Sequence, residues 1–288
     1  MNQFLASELK RIAKQTLSPN EEEYLSLSTE AASQIAGQFN QSLKEVEIEA
    51  LKNQVIPERY QRNLGTIGVQ GQIKLLQSRV AIVGVGGLGG MSLELLVRFG
   101  VGSVVIIDGD TFAESNVNRQ LLSESKNIGK RKVEVARERV VKVNPATEIE
   151  IYGVVANERN LPGMIQGSQV VVDGLDNIPD RLSLEKASKQ MGIPLVHGAI
   201  AGFVGQVTTI FPGDPGLRLI YGSGYFPRSG LEKQFGTPCL TPALIATWQV
   251  SEVIKILLGW QKTLRNRVLV VDFKEQIMEV LHIDQEDA

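Results

Sequence analysis

Between Val80 and Gly90 the chain reads VAIVGVGGLGG. An apolar run rich in β-branched residues enters a glycine turn, and from Met91 the segment MSLELLVRF has the composition of a helix. Gly84, Gly86 and Gly89 satisfy G-x-G-x-x-G in a strand-to-helix setting, with Gly87 between them. Such a turn brings backbone close to phosphates, whose charge is favoured at a helix N-terminus. Asp108 ends the next apolar run, SVVIID, where a carboxylate accepts hydrogen bonds from ribose hydroxyls. These features fit NAD and ATP equally well.

Apolar runs and helical patterns alternate over the following hundred residues. RVAIVG, SVVIID, EIEIYGVV, SQVVVDG and IPLVHGA read as strands. GGMSLELLVRFGV, KRKVEVARERVVKVN and IPDRLSLEKASKQMG read as helices, stopped by Gly100, by Asn144-Pro145 and by Gly192. The alternation predicts an α/β chain with a doubly wound, Rossmann-like, mostly parallel sheet whose ligands sit at the carboxyl ends of the strands. GFVGQVTTIF and RVLVVDFKEQIMEVLHI then predict antiparallel strands that continue the sheet, and ALIATWQVSEVIKILLG a buried helix. The Gly- and Pro-rich stretch between them is too long for an ordinary connection and is expected to be functional or mobile.

Residues 1–56 are read separately, as a helical extension to a main domain over 57–288. Leu5, Leu9 and Ile12 have helical spacing, SPNEEE (Ser18 to Glu23) resembles a helix start, and Ala31, Ile35, Phe39 and Leu43 recur every four residues. Stripes of this kind are packing faces.

Charge narrows the function. With 30 Lys plus Arg against 32 Asp plus Glu, nothing points to a nucleic-acid or membrane partner. The opening MNQFLASELKRIAKQ is too charged for a secretory leader, and no apolar run has the length of a bilayer span, so the expected location is cytoplasmic. One cysteine and two histidines are too few for a structural zinc site.

Beyond Asp108, DGDTFAESNVNRQLL brings Asn116 and Arg119 past the second strand, with Asp110, Ser115 and Asn118 as further candidate contacts, and Lys132 opens a helix. Two cations from separate segments suit a triphosphate better than a nicotinamide dinucleotide. VVVDGLDN ends a strand with Asp176, a candidate Mg²⁺ ligand together with phosphate oxygens, beside Asn177, a candidate nucleotide contact or helix cap.

Those segments, with RYQRN before them and PLVHGA…GQVTTIF after, resemble the ThiF/MoeB/HesA family, bacterial relatives of ubiquitin-activating enzymes, over about residues 57 to 273. The resemblance implies adenylation of the C-terminal glycine of a ubiquitin-like sulphur-carrier protein with a Gly-Gly terminus, at the cost of ATP and with Mg²⁺, serving sulphur transfer in molybdopterin or thiamine biosynthesis. It implies that Gly87 lies against the nucleotide, that Asp108 holds the ribose, that Asn116, Arg119 and Lys132 contact phosphates and that Asp176 binds Mg²⁺. Arg62 matches an arginine that reaches the neighbouring subunit's site, which implies a homodimer. Relatives carry two C-x-x-C zinc pairs, whereas here GLRLIYG replaces the first and the second is missing, so no structural zinc is expected. Cys239 stands where relatives have an acyl- or persulfide-bearing cysteine, and packing explains a lone cysteine equally well. His197 and His282 are read as structural. Two other readings stay open: an NAD-dependent oxidoreductase, and a non-catalytic dimeric binding protein of the same fold.

Overall fold

The computed structural model describes residues 2–17, 21, 23–227 and 232–283. The chain begins with α1 (Asn2–Ile12), β1 (Lys14–Leu17), β2 (Glu23–Leu27), α2 (Thr29–Phe39), α3 (Leu43–Lys52) and β3 (Val55–Pro57). The main domain follows with α4 (Gln61–Leu76), β4 (Arg79–Val83), α5 (Gly87–Phe99), β5 (Ser103–Ile107), α6 (Lys132–Val143), β6 (Glu148–Tyr152), α7 (Leu161–Ile165), β7 (Val170–Asp173), α8 (Ile178–Gln190), β8 (Leu195–Ala201) and β9 (Val204–Ile210). It closes with α9 (Arg218–Tyr221), α10 (Glu232–Phe235), α11 (Leu240–Leu258), β10 (Arg267–Asp272) and β11 (Ile277–His282).

The expected sheet is present. Its order is β11-β10-β9-β8-β7-β4-β5-β6, with β4 to β8 parallel and β9 to β11 antiparallel. Side chains of β4 alternate between two cores. Val80 and Ile82 join Leu93, Leu96 and Val250 on one face, while Ala81 and Val83 join Leu161, Leu184 and Leu195 on the other. Burial on both faces explains why the strands read as continuous apolar runs. The chain crosses from one side of β4 to the other between β5 and β7, so a crevice opens at their carboxyl ends.

The N-terminal region departs from a purely helical extension. Leu5 and Leu9 are buried on α1, and Ile35 on α2, as their spacing predicts. Leu43, however, opens a separate helix, whose capping box is formed by Ser42 and Glu45. The helix start expected at Ser18 to Glu23 lies outside the described residues except for Glu21 and Glu23, and Glu23 begins strand β2. Pairing explains the outcome: β2 lies between antiparallel β1 and parallel β3, and both backbone edges are satisfied there, which outweighs the local helix-start signal. The module joins the main domain through Tyr60, which is fully buried. Its hydroxyl donates to Glu47 at 2.8 Å and accepts from Asn144 Nδ2 at 3.0 Å. Burial pushes the Glu47 carboxyl up and the Tyr60 phenol up, so the proton of this bond stays on the phenol.

Candidate functional site

At the crevice lies a cavity of about 480 Å³. One wall is the turn between β4 and α5. Gly84 has φ +85°, and a Cβ there would meet Gly174 O at 2.6 Å; a Cβ on Gly89 would meet Gly84 O at 1.7 Å. These two glycines are demanded by backbone packing alone. Gly84, Gly86 and Gly87 all line the cavity, and Gly86 precedes α5 without any side-chain cap. The helix N-terminus is thus left for an anion.

Asp108 supports this turn from below. Its Oδ2 accepts from Val85 N at 2.8 Å and its Oδ1 from Asp110 N at 2.8 Å. Each carboxylate oxygen keeps a second lone pair, enough to accept ribose hydroxyls. Lys132 is buried at the start of α6, yet lines the cavity, and its Nζ donates to Asp110 Oδ2 at 3.0 Å. Arg119 lines the same wall, held by Ser115 O and Asn118 Oδ1, both at 2.9 Å. Opposite the cations, Asp176 lies between β7 and α8. One amide, Asn177 Nδ2, donates to Asp176 Oδ1 at 3.2 Å and to Asp180 Oδ2 at 2.7 Å, while Asn177 Oδ1 caps α8 by accepting from Asp180 N. Asp176 and Asp180 line one cavity with Arg119, Lys132 and Arg181, a set of charges that would suit a hard divalent ion together with phosphate. At the far end Ile107, Val154, Val155 and Leu175 offer apolar surface of the kind a purine needs.

The cavity therefore brings together Gly84, Gly86, Gly87, Asp108, Asp110, Arg119, Lys132 and Asp176. Other expected residues stand back from it. Gly89 packs beneath the turn. Ser115 contributes its carbonyl to Arg119, and Asn116 Oδ1 accepts from Ala113 N. Asn118 Nδ2 donates to Thr237 O, tying the long β9–α11 segment to the cavity rim. Asn177 is the cap of α8, which is the second of the two readings its sequence allowed. Arg62 is exposed on the first turn of α4 and does not line its own chain's cavity. Cys239 is exposed at the residue before α11, also outside the lining.

Several lining residues escaped the sequence reading. Gln120 is buried on the wall, and its Oε1 finds no partner among the described residues. Asp180 and Arg181 follow Asp176 on α8, and Thr237 comes from the long segment. The signal for Asp180 was its place three residues after the Asn177 cap, in the first turn of the helix that follows Asp176, whereas Arg181 had no such spacing signal. Thr237 had no local signal.

Comparison with known proteins agrees with this architecture. The ThiF family model matches residues 60–288. The chain is 34% identical over 229 residues to the SAMP-activating enzyme E1 of Haloferax volcanii, covering 78% of this chain and 84% of that protein. It is 34% identical over 230 residues to the sulfur carrier protein adenylyltransferase of Thermus thermophilus, covering 76% and 84%. Among solved structures, E. coli MccB with ATP superimposes with a TM-score of 0.68 at 20% identity, over 88% of this chain and 79% of that one, which is a likeness of fold.

Proposed function

The chain belongs to the ThiF family and is an adenylyltransferase, and from that premise we propose that it uses ATP to adenylate the C-terminal glycine of a ubiquitin-like sulphur carrier. The observation that carries this reading is the convergence of Lys132, Arg119, the uncapped α5 terminus and Asp176 on one cavity. The carboxylate oxygen of the carrier's last glycine forms a bond to the α-phosphorus, the bond from that phosphorus to the bridging oxygen breaks, and pyrophosphate leaves with the electron pair. Arg119 and Lys132 offset the charge that gathers on the phosphates, and Asp108 holds the ribose. A Mg²⁺ ion held by Asp176, with Asp180 beside it, would further neutralise the phosphate oxygens. No general base is required, because the attacking carboxylate is already ionised. Catalysis is then positioning and charge stabilisation.

The position of Arg62 outside its own cavity suits an arginine that serves a neighbouring copy, so a homodimer is part of the proposal. Relatives named for sulphur carriers support the substrate class, and among the described residues no helix is long and apolar enough to cross a membrane, in keeping with a cytoplasmic enzyme. Nicotinamide chemistry has less support, since a hydride site does not need two cations beside the pyrophosphate. Carrier-dependent exchange of labelled pyrophosphate into ATP tests the function. Exchange that needs no carrier ending in Gly-Gly refutes the substrate. Mixing Arg62→Ala with Asp176→Ala subunits tests the shared site: heterodimers regain part of the activity if Arg62 acts across the interface, and confirmed heterodimers without rescue exclude it.

A further inference from the structure

A buried polar knot lies directly behind Asp176, and nucleotide binding does not account for it. Asp173, which ends β7, and His197, on β8, are both fully buried. His197 Nδ1 is 2.7 Å from Asp173 Oδ2, and His197 Nε2 is 2.9 Å from the Tyr221 hydroxyl. The same hydroxyl oxygen accepts from Gln206 Nε2 at 3.0 Å and from Arg181 at 3.2 Å. The amide and guanidinium nitrogens only donate, and a hydroxyl oxygen has two lone pairs, so both are taken. The Tyr221 proton must then go to His197 Nε2, and His197 must give its own, on Nδ1, to Asp173. Burial lowers the pKa of His197, which favours the same neutral form.

The knot terminates at the guanidinium of Arg181. One terminal nitrogen donates to Tyr221, the other to Leu175 O at 2.8 Å; Nε is buried, 3.8 Å from Asp173 Oδ2, with no hydrogen-bond partner among the described residues. Arg181 lines the nucleotide cavity and also a second cavity of about 230 Å³, walled by Ile178, Ala199, Ile200, Val204 and Val270. Asp176, Arg181 and Ile200 are the residues common to both. Among the described residues lining the second cavity, Arg181 is the cation. Any anion that reaches the nucleotide through this apolar space passes Asp176 and is repelled by it, unless a positive group receives it at the junction. Two of the five N–H groups of Arg181 are committed to Tyr221 and Leu175, and a guanidinium fork matches a carboxylate.

We propose that Arg181 receives the carboxylate of the acyl substrate where the two cavities meet, and that Tyr221 and His197 are positioning residues that fix its guanidinium. The inference deepens the adenylation reading and rests on it. The uncharged backbone of the peptide tail occupies the second cavity, and its terminal carboxylate meets the nucleotide beside Arg181. The long β9–α11 segment thereby has a task. It carries Tyr221 on α9 to the junction, and through Tyr221 it senses whether Arg181 is in place.

The test uses the full chain, a non-hydrolysable ATP analogue, and a short synthetic peptide ending in Gly-Gly, made once as the free acid and once as the C-terminal amide. Binding is followed by fluorescence anisotropy. The wild type is expected to bind the acid about ten-fold more tightly than the amide. Arg181→Gln, assayed at a saturating concentration of the ATP analogue, loses that preference. Tyr221→Phe, which retains the ring and the buried charge pair, loses most of the preference as well, and it carries the test if Arg181→Gln does not fold. A purely structural role would weaken acid and amide alike. Equal binding of acid and amide by the wild type, binding of neither, or a preference that survives in both variants overturns the inference while leaving ATP-dependent adenylation intact. Failure of the wild type to bind the ATP analogue overturns instead the function on which the inference rests.

Discussion

The two sides of the site are built differently. On the nucleotide side, one continuous stretch from Val80 to Lys132 supplies the glycine turn, Asp108, Asp110, Arg119 and Lys132. The polar contacts there are local: Asp108 binds the backbone of the turn and of Asp110, and Lys132 reaches Asp110. On the opposite side, Asp173, Arg181, His197, Gln206, Tyr221 and Gln249 come from five strands or helices and from a long connection. They are knitted by buried bonds, with Gln249 Nε2 donating to Asp173 O at 2.8 Å. The first side is a segment that grips a common ligand. The second is a scaffold that only the complete fold assembles.

If the gripping side and the Asp176 edge cooperate on one triphosphate, Asp176→Ala has the largest effect. Pyrophosphate exchange falls on the order of a thousand-fold. The exposed position of Asp176 means that thermal unfolding stays close to wild type. Full exchange in a folded Asp176→Ala protein would place the metal and the charge stabilisation elsewhere.

A Gly89→Ala change asks whether the turn is rigid for its own sake. The added methyl has backbone 1.7 Å away, which no rotamer relieves, so a loss of about 3 kcal/mol in unfolding free energy is expected. Chemical denaturation measures it. A loss below about 1 kcal/mol would mean that the turn yields, and that its shape is imposed by the nucleotide. Asn177→Ala comes next in size. It removes the cap of α8, costing about 1 kcal/mol, and it also frees Asp176 and Asp180 from their shared amide. The distinguishing result is a raised Mg²⁺ requirement for exchange; an unchanged requirement would make Asn177 a cap and nothing more.

How far each side was legible follows from this construction. The glycine turn, the parallel sheet with its antiparallel continuation, and the cavity residues from Gly84 to Lys132 could be read because their signals are short-range: periodicity, glycine spacing and the offset of Asp108. Asp176 was read as the end of a strand, whereas β7 ends at Asp173 and Asp176 lies in the turn before α8. His197 was read as structural, and its position in the core agrees, but nothing in PLVHGA reveals that Tyr221, twenty-four residues later, lies against its ring. Asp180 was within reach of the helix-start signal at Asn177 and was passed over. The strands β1 to β3 were hidden for the same reason, since each is short and gains stability only from its neighbour. Asn116 was expected at the phosphates and Asn118 as a nucleotide contact; here Asn116 Oδ1 accepts from Ala113 N and Asn118 Nδ2 donates to Thr237 O.

The buried knot also has a pH signature. His197 is neutral in the fold with a pKa lowered from 6.5 by burial, the Asp173 bond opposing the shift without cancelling it. A lowered folded value means that the unfolded chain takes up the proton first. The stability held by neutral His197 is present in full above 6.5 and is lost as pH falls from there through the folded value. Glu47 acts with the opposite sign, because its raised value makes the fold bind a proton that the unfolded chain releases as pH rises above 4.5. Between these limits the two groups oppose each other, so the comparison is between proteins: relative to wild type, His197→Gln should lose less stability as pH falls below 6.5, and an identical pH dependence would remove His197 from the account.

The smallest expected effect is at Cys239. It is exposed before α11 and outside the cavity lining, so Cys239→Ala should leave carrier-dependent exchange within about two-fold of wild type, a change worth only a few tenths of a kcal/mol. Exchange is the reading to take, because it reports adenylation before any later transfer. A thiol that formed a covalent acyl intermediate would act after the adenylate, so its loss would spare exchange and stop only the onward step. A large drop in exchange would instead bring Cys239, and with it the segment that carries Thr237 and Tyr221, to the reacting phosphorus. That outcome would erase the division between a gripping side and an assembling side, because one loop would then belong to both.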